Sequence, residues 1–135
     1  MKTLQIVLLV LLISACTKDD PVALTGIWRG SIENEDHSSV YISANIVQMY
    51  KTVQGNFMIE MIDSLYKKYY AMFDIQNGSI YGSDVAIYGS NFSQVYSLVG
   101  QVEMDFTRID GTYTIKDIKD YILSVRNFYI EKEEE

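Results

Sequence analysis

His37 is the only histidine of the sequence and therefore the only imidazole that could act as a general base. It lies in an acidic stretch with Glu33, Glu35 and Asp36, and two serines follow it. A Ser/His/Asp arrangement is formally available, but no nucleophile motif accompanies the histidine. These side chains could instead hold a cation, although they lack the regular oxygen-ligand spacing and fixed glycine of a calcium loop. We therefore expect a solvated loop, with no catalytic residue, no metal and no cofactor.

The composition points away from several classes of function. Eleven basic and eighteen acidic residues give a net charge of −7, which disfavours binding to nucleic acid phosphates. One Cys, one His and one Trp cannot supply a disulfide, a Cys/His zinc site or a redox pair within one chain. Most carboxylates fall at the outward positions of the strand patterns described below. We therefore expect a non-enzymatic protein that does not bind nucleic acid.

The N-terminal residues have the pattern of an export signal. A short basic start precedes an apolar run from Leu4 to Ile13, which is shorter than the roughly 20 residues that span a bilayer. The run ends in Ile13-Ser14-Ala15-Cys16, which resembles the bacterial lipobox. The resemblance implies a lipoprotein signal peptide over residues 1 to 15 and membrane anchoring through acyl chains such as palmitate on Cys16. The alternative is an ordinary secretory signal with an incidental thiol.

A tether and a tail flank the expected domain. Residues 16 to 23 are expected to form a flexible tether, because the segment Thr17-Lys18-Asp19-Asp20-Pro21 after Cys16 is polar and ends in the only proline. Within it, Lys18-Asp19-Asp20 resembles the export tag of surface lipoproteins in some Gram-negative bacteria, and a plain linker is the alternative. We expect localisation to the bacterial cell envelope, at the outer membrane. Residues 131 to 135 form an acidic tail.

The rest of the chain alternates between apolar and polar residues with the period of two that is typical of half-buried strands. Asn77-Gly78 predicts a hairpin turn, whereas Asp110-Gly111 is either a turn or part of a strand. Near-helical spacing of apolar residues over 115 to 125 allows the last strand to begin as a helical turn. Eight strand segments follow from the alternation, over residues 24 to 33, 39 to 49, 52 to 62, 69 to 77, 79 to 88, 94 to 106, 108 to 115 and 120 to 130.

These segments fit one all-β domain over residues 24 to 130. The spacing of about thirteen residues per strand and turn leaves no room for crossover helices. We therefore predict a single eight-stranded antiparallel up-and-down β-barrel. A two-sheet sandwich is the alternative, because both arrangements have the same periodicity.

Glycines recur two residues before larger apolar residues on the same strand face. An inward glycine lets a barrel strand bend sharply and leaves room for its large neighbour. Trp28, between Gly26 and Gly30, is predicted to lie across one end of the barrel as its floor. The pairs are Gly26/Trp28, Gly30/Ile32, Gly55/Phe57, Gly100/Val102 and Gly111/Tyr113.

The segment Leu24-Thr25-Gly26-Ile27-Trp28 resembles the opening Gly-x-Trp strand of lipocalin-like and avidin-like proteins. Gly111-Thr112-Tyr113 is similar to a later strand of the same group. The resemblance implies a closed up-and-down barrel in which a late basic residue packs over the tryptophan. Arg126 is the only late arginine, and a surface position is the alternative for it. Biotin binding is not implied, because the avidin site resembles a box of several tryptophans.

Two functions are compatible with this barrel. In the first, a small apolar or amphipathic ligand enters opposite Trp28, although these lining residues could equally be ordinary core. In the second, the core is fully packed and the loops or outer face bind a protein or glycan, for which outward tyrosines such as Tyr41, Tyr70 and Tyr88 are available. The residues expected to line a ligand are Trp28, Phe57, Phe73, Tyr96, Met104 and Tyr113.

Overall fold

The computed structural model describes residues 22 to 134. The predicted signal peptide, Cys16 and most of the tether lie outside these residues. The described chain forms nine β-strands: β1 (Gly26–Glu33), β2 (Ser39–Met49), β3 (Thr52–Ile62), β4 (Lys68–Asp74), β5 (Gln76–Tyr81), β6 (Asp84–Ser90), β7 (Gln94–Val102), β8 (Arg108–Asp117) and β9 (Ile122–Lys132).

All strand pairs are antiparallel, and eight strands close into a barrel. Going round the barrel, the order is β2, β1, β9, β8, β7, β6, β5 and β3, and β3 pairs again with β2. The first and last strands meet directly, with Gly30 opposite Ile130. The closed barrel is therefore confirmed and the two-sheet sandwich is excluded. The ninth strand, β4, pairs with the same side of β3 as β5 does, nearer the loop end, and it contacts the end of β6.

The up-and-down order defines two ends of the barrel. The described chain begins at one end, which we call the closed end. This end also carries the connections at 50 to 51, 82 to 83 and 103 to 107. The other end, which we call the loop end, carries the connections at 34 to 38, 63 to 67, 91 to 93 and 118 to 121. Within residues 22 to 134, no helical segment has the length and hydropathy needed for a transmembrane span.

The closed end is sealed around Trp28, which is completely buried. The indole Nε1 of Trp28 donates a hydrogen bond to the carbonyl oxygen of Leu24 at 2.8 Å. The backbone N–H of Leu24 donates in turn to Oε1 of Gln48 at 2.9 Å, and Nε2 of Gln48 donates to the carbonyl oxygen of Tyr50 at 2.7 Å. These bonds satisfy the polar groups that the floor buries, so Trp28 forms the predicted floor.

The interior above this floor consists of alternate residues from every barrel strand, as a period of two requires. Strands β2 and β3 show the alternation most regularly, and buried residues are separated by exposed or half-buried ones. The inward side chains, which are aliphatic and aromatic, pack as one continuous cluster rather than as a hollow shell. The largest completely buried members are Trp28, Phe57, Leu24, Ile32, Ile42 and Ile46.

The predicted hairpin at Asn77-Gly78 is wrong. Asn77 adopts a positive φ of 54°, but it does so inside β5, where the pairing with β6 shifts register between Gln76 and Ser79. A β-bulge and a hairpin turn use the same left-handed conformation, so Asn-Gly fits either. The actual turn lies at Gly82 and the next residue, because Tyr81 pairs with Asp84. The predicted strand over 79 to 88 is therefore two strands and a turn.

Three further boundaries differ from the sequence prediction. Strand β7 ends at Val102 instead of residue 106, and residues 104 to 107 form a turn. Residues 118 to 121 form a turn without a helix before β9. Strand β9 continues to Lys132, so two residues of the predicted acidic tail belong to the barrel. Asp110-Gly111 lies inside β8, which was one of its two predicted positions.

Candidate ligand site at the loop end of the barrel

Four aromatic rings form a row across the interior. The ring centroids of Phe57 and Phe73 are 5.2 Å apart, those of Phe73 and Tyr96 are 4.4 Å apart, and those of Tyr96 and Tyr113 are 6.4 Å apart. These distances are typical of favourable aromatic packing. All four side chains are buried as the sequence predicts, while their contact with a ligand stays a prediction.

Gly89 on β6 makes room for this row. A Cβ atom added to Gly89 would lie 2.7 Å from Cζ of Phe57 and 2.8 Å from Cβ of Phe73. Both distances are shorter than a normal van der Waals contact, so even a methyl group would displace the rings. The sequence-based glycine pattern did not include Gly89, because its large neighbours lie on other strands.

Met104 does not line the interior, and its predicted inward position is wrong. It lies in the connection between β7 and β8, where it is 99% exposed. The alternation of β7 cannot reach it, because the strand ends two residues earlier. Met104 instead contributes to an open groove of about 720 Å³ on the outer surface near the closed end, together with Gln101 and Thr112.

Arg126 occupies an inward position at the loop end. It pairs across β8 and β9 with Tyr113, which is buried, and cross-strand partners share one face of the sheet. Its Nη1 donates a hydrogen bond to Oδ1 of Asn34 at 2.6 Å. Both predicted positions of Arg126 are therefore wrong: it neither packs over Trp28 nor points away from the barrel. The residue paired with Trp28 across β1 and β9 is Lys132.

Lys132 is the late basic residue at the floor. Its Nζ donates a hydrogen bond to the carbonyl oxygen of Ala23 at 2.9 Å, which ties the end of the barrel to its beginning. Lys132 falls in the predicted tail because the predicted last strand ends at residue 130, two residues before β9 does. The periodicity of two, continued from Phe128 and Ile130, would have placed it on the inner face.

The polar groups around Arg126 are incompletely paired. Within residues 22 to 134, Nε of Arg126 and Oγ of Ser124 are buried without a hydrogen-bond partner. The two residues are separated by one position on β9, so they lie on the same face. No carboxylate of the described residues lies within 4.0 Å of the guanidinium. Arg29 and Arg108, by contrast, are each 2.9 Å from a carboxylate oxygen.

The two tyrosines of the aromatic row are held in their neutral form. Burial raises the pKa of Tyr113, and the neighbouring Tyr96 adds to this effect while Arg126 opposes it. Burial also raises the pKa of Tyr96, against a hydrogen bond from Asn91. Neutral phenols next to Arg126 cannot act as counter-ions for it. Among the side chains of Tyr96, Tyr113 and Arg126, only the guanidinium of Arg126 therefore carries a charge.

The acidic loop after β1 is exposed and bonded within itself. Nδ1 of His37 is 3.2 Å from Oε1 of Glu33. The Ser38 hydroxyl and backbone N–H both donate to Asp36, and these bonds lower the pKa of Asp36. Among the described residues, no group of three or more His, Cys, Asp or Glu side chains is placed to hold a metal ion.

Exposed apolar side chains are numerous near the loop end. They lie on two hairpins, β3–β4 and β8–β9, where Tyr66 is 90% exposed and Tyr121 is 68% exposed. Such a concentration of apolar groups in water is typical of a contact surface. We call this set the apolar rim. It consists of Ile62, Leu65, Tyr66, Tyr69, Tyr70 and Met72 on the first hairpin, and Ile118, Tyr121, Ile122, Leu123 and Val125 on the second.

No protein-family model matches this chain, and no curated protein shows significant sequence similarity to it. The class that the fold defines is a closed, antiparallel β-barrel with a packed aromatic core.

Proposed function

We propose that this chain is a lipid-anchored, non-enzymatic binding protein that takes an anionic amphipathic small molecule at the loop end of its barrel. The observation that carries the proposal is the inward guanidinium of Arg126, which has an amide partner and no carboxylate partner among the described residues. Leaving a charge unpaired in a poorly solvated position is costly. A carboxylate from a ligand would offset this cost by accepting hydrogen bonds from Nε and from Oγ of Ser124.

The aromatic row limits the size of such a ligand. Phe73, Tyr96 and Tyr113 fill the middle of the barrel with their rings in contact. A long alkyl chain therefore does not fit along the barrel axis without displacing them. The ligand is a short amphiphile whose head group lies beside Arg126. Its apolar part lies on the aromatic row and the apolar rim.

The position of the N-terminus suits this arrangement. The described chain begins at the closed end, where Leu24 bonds to Gln48. Cys16 lies six residues before Val22, a separation of about 20 Å at full extension. A lipid on Cys16 would therefore hold the closed end near the membrane and leave the loop end accessible. Cys16→Ala should abolish fatty-acid incorporation and leave the precursor uncleaved, and labelling that survives this change would contradict the anchor.

Calorimetric titration of three amphiphiles of equal chain length tests the binding proposal. Decanoate, decanol and decyltrimethylammonium carry an anionic, a neutral and a cationic head group. Decanoate should bind the mature domain most tightly, below its micelle-forming concentration. Arg126→Gln should weaken decanoate binding about tenfold or more, since a hydrogen bond to a charged group contributes roughly 1.5–3 kcal/mol.

Arg108→Gln is the matched control for this titration. Arg108 lies at the closed end and already contacts Asp110 and Glu131 at 2.9 Å, so its removal should leave decanoate binding unchanged. Equal affinity for decanoate and decanol would contradict the proposal. So would an Arg126→Gln variant that binds decanoate like the unchanged protein.

A second function is favoured by a different observation, the combination of a packed interior with the exposed apolar rim. In this case the domain is an accessory module that binds a protein through its loop end. A glycan is the less suitable partner, because the rim includes aliphatic side chains such as Leu65 and Leu123 that offer no stacking plane. Tyr66→Ala combined with Tyr121→Ala should then abolish co-purification of an envelope protein. Tyr50→Ala combined with Tyr81→Ala, at the closed end, is the control.

A further inference from the structure

Three connections at the closed end carry large apolar side chains that are exposed to solvent. Tyr50 lies in the turn between β2 and β3 and is 77% exposed, and Tyr81 directly precedes the turn at 82 to 83 and is 62% exposed. Met104, between β7 and β8, is almost completely exposed. We call these three residues the apolar tips. Turns usually consist of small or polar residues, so exposed apolar groups at three connections of one end indicate a contact surface.

The three connections lie side by side. The backbone N–H of Ile80 donates to the carbonyl oxygen of Lys51 at 3.0 Å, which places the turn after β2 next to the end of β5. The N–H of Val102 donates to the carbonyl oxygen of Ser83 at 2.9 Å, which joins the turn after β5 to the connection after β7. The apolar tips therefore follow one another along the same side of the closed end.

The chemistry of the apolar tips suits the boundary between water and lipid. The side chains of Tyr50 and Tyr81 combine an apolar ring with a polar hydroxyl, and tyrosine is enriched at the level of lipid head groups for this reason. Nζ of Lys51 lies 5.6 Å from the ring centroid of Tyr81. A lysine can keep its ammonium among head-group phosphates while its stem lies along apolar groups. These neighbouring turns thus offer lipid both an apolar and a cationic contact.

The length of the tether determines which end of the barrel can reach a membrane. Residues 16 to 22 span at most about 20 Å, and the described chain begins at the closed end. Strand β2 has eleven residues, which correspond to about 36 Å of strand, or about 28 Å along the axis of a barrel whose strands tilt by about 40°. Since this distance exceeds the length of the tether, a lipid on Cys16 cannot lay the loop end on the bilayer. It brings the apolar tips there instead.

The charges of the closed end determine which lipid surface is suitable. Glu131 and Glu133 are each 2.9 Å from an arginine nitrogen of their own chain. Glu103 and Asp105 flank Met104, and the whole chain has a net charge of −7. An anionic surface would therefore repel this end of the barrel, whereas a zwitterionic surface does not.

We propose that the closed end docks on a zwitterionic phospholipid membrane, with the apolar tips inserted at the level of the head groups. This inference rests on the proposed lipid anchor at Cys16, to which it adds a second contact made by the barrel itself. Several contacts at one end fix the direction of the barrel axis relative to the bilayer. The loop end, with Arg126, then faces away from the bilayer and is accessible from water.

Fluorescent probes at both ends of the lipidated protein test this orientation. Tyr50→Cys, Met104→Cys and Leu65→Cys each receive one nitrobenzoxadiazole label, and the unchanged lipidated protein is the labelling blank for Cys16. Each protein is reconstituted in phosphatidylcholine vesicles with and without lipid that is spin-labelled near its head group. The two probes at the closed end should lose about half of their emission or more, since apolar groups at a membrane interface reach roughly 5–10 Å into the head-group region. The Leu65→Cys probe, on the apolar rim, should lose none.

The outcomes separate docking from anchoring. Flotation with the vesicles and fatty-acid labelling report the anchor alone. Protein that floats but shows no quenching at the closed end would overturn the docking and leave the anchor intact. Equal quenching of the probes at both ends would also overturn it, because the barrel would then have no fixed orientation.

A second measurement does not need the lipid on Cys16. The mature chain with Cys16→Ser retains every strand of the barrel, and co-sedimentation measures its partition onto phosphatidylcholine vesicles. Tyr50→Ala combined with Tyr81→Ala should reduce this partition about fivefold or more, because less apolar area enters the interface. Tyr66→Ala combined with Tyr121→Ala, at the loop end, is the matched control and should leave the partition unchanged.

Vesicle composition and self-association distinguish the possible partners of the apolar tips. Anionic phosphatidylglycerol added to the vesicles should weaken the partition, and a partition that rises with this lipid would contradict the proposal. A partition that does not depend on Tyr50 and Tyr81 would overturn it. So would a dimer in sedimentation velocity that the same double variant abolishes, because the apolar tips would then bind a second copy of the chain.

Discussion

Nη1 of Arg126 and Oδ1 of Asn34 are 2.6 Å apart, and this hydrogen bond joins β9 to the loop after β1. The acceptor is a neutral amide, so the contact orients the guanidinium without neutralising it. The chain thus holds an arginine in a defined position at the loop end and leaves its charge available. This is the arrangement expected where the counter-ion arrives with a ligand.

Asn34→Asp should convert the site into a self-neutralised one. The new carboxylate would occupy the position of the amide and form an ion pair with Arg126. We expect decanoate binding to weaken about tenfold or more, while the free energy of unfolding stays equal or rises by up to about 1 kcal/mol. Calorimetric titration and urea unfolding measure the two quantities. If the Asn34→Asp variant bound decanoate as tightly as the unchanged protein does, Arg126 would not be the residue that binds the ligand.

Trp28→Ala should destabilise the barrel by about 3–5 kcal/mol, because it empties the completely buried floor. Trp28→Phe retains most of the apolar volume but loses the hydrogen bond to Leu24. We expect it to cost roughly 1–2 kcal/mol. Chemical unfolding followed by circular dichroism gives both values. A loss below about 1 kcal/mol for Trp28→Ala would mean that the indole is not a structural floor.

Gly89→Ala should destabilise the protein by about 1–3 kcal/mol through overpacking. The added methyl group would lie within 2.8 Å of both Phe57 and Phe73. Combining it with Phe57→Leu removes the end of the ring that the methyl group meets. The double variant should therefore lose less stability than the two single losses added together. Ser90→Ala, at an exposed neighbour, is the control, and additive losses would contradict the close contact.

Tyr113 should make the protein lose stability at alkaline pH. Burial raises its pKa in the folded state above the ordinary tyrosine value of 10.0. Below that value both states keep the phenol neutral, so this group contributes no pH dependence. As the pH rises above 10.0, the unfolded phenol releases its proton before the folded one does, and folding becomes less favourable.

Tyr113→Phe provides the measurement, since it removes the ionisable group and keeps the ring. Above about pH 10, the free energy of unfolding should fall less steeply in this variant than in the unchanged protein, and the two should behave alike at lower pH. Tyr88→Phe, at a more exposed position on β6, is the control and should follow the unchanged protein. Identical pH dependence in all three would contradict the burial of the Tyr113 phenol.

Much of the fold follows from the sequence because each half-buried strand has a period of two. The bounds of β2 and β3 are as predicted, and the Gly-x-Trp segment correctly indicates a floor at Trp28. The error at Asn77 arises because a left-handed residue suits both a turn and a bulge. Only the pairing of β5 with β3 and β6 decides between them. Met104 was misplaced because alternation alone does not show where a strand ends.

The candidate site was less predictable, because it depends on contacts between distant residues. Asn34 and Arg126 are 92 positions apart, and no local pattern joins them. Strict alternation from an inward Leu123 and Val125 would point Arg126 outward, whereas both of these residues are exposed on the apolar rim. The register shift in β9 reverses the alternation near its start. The aromatic row was predictable from alternation, but Gly89 and Ser124 became relevant only in three dimensions.

The arginine Nε–Hε spectrum of ¹⁵N-labelled protein, recorded while decanoate is added, tests the binding site most directly. The chain has three arginines, Arg29, Arg108 and Arg126, and the first two already contact carboxylates. We predict that the Arg126 signal shifts to saturation while the other two stay in place. An unmoved Arg126 signal at saturating decanoate, or equal shifts of all three signals, would contradict the proposal that Arg126 binds an anionic ligand.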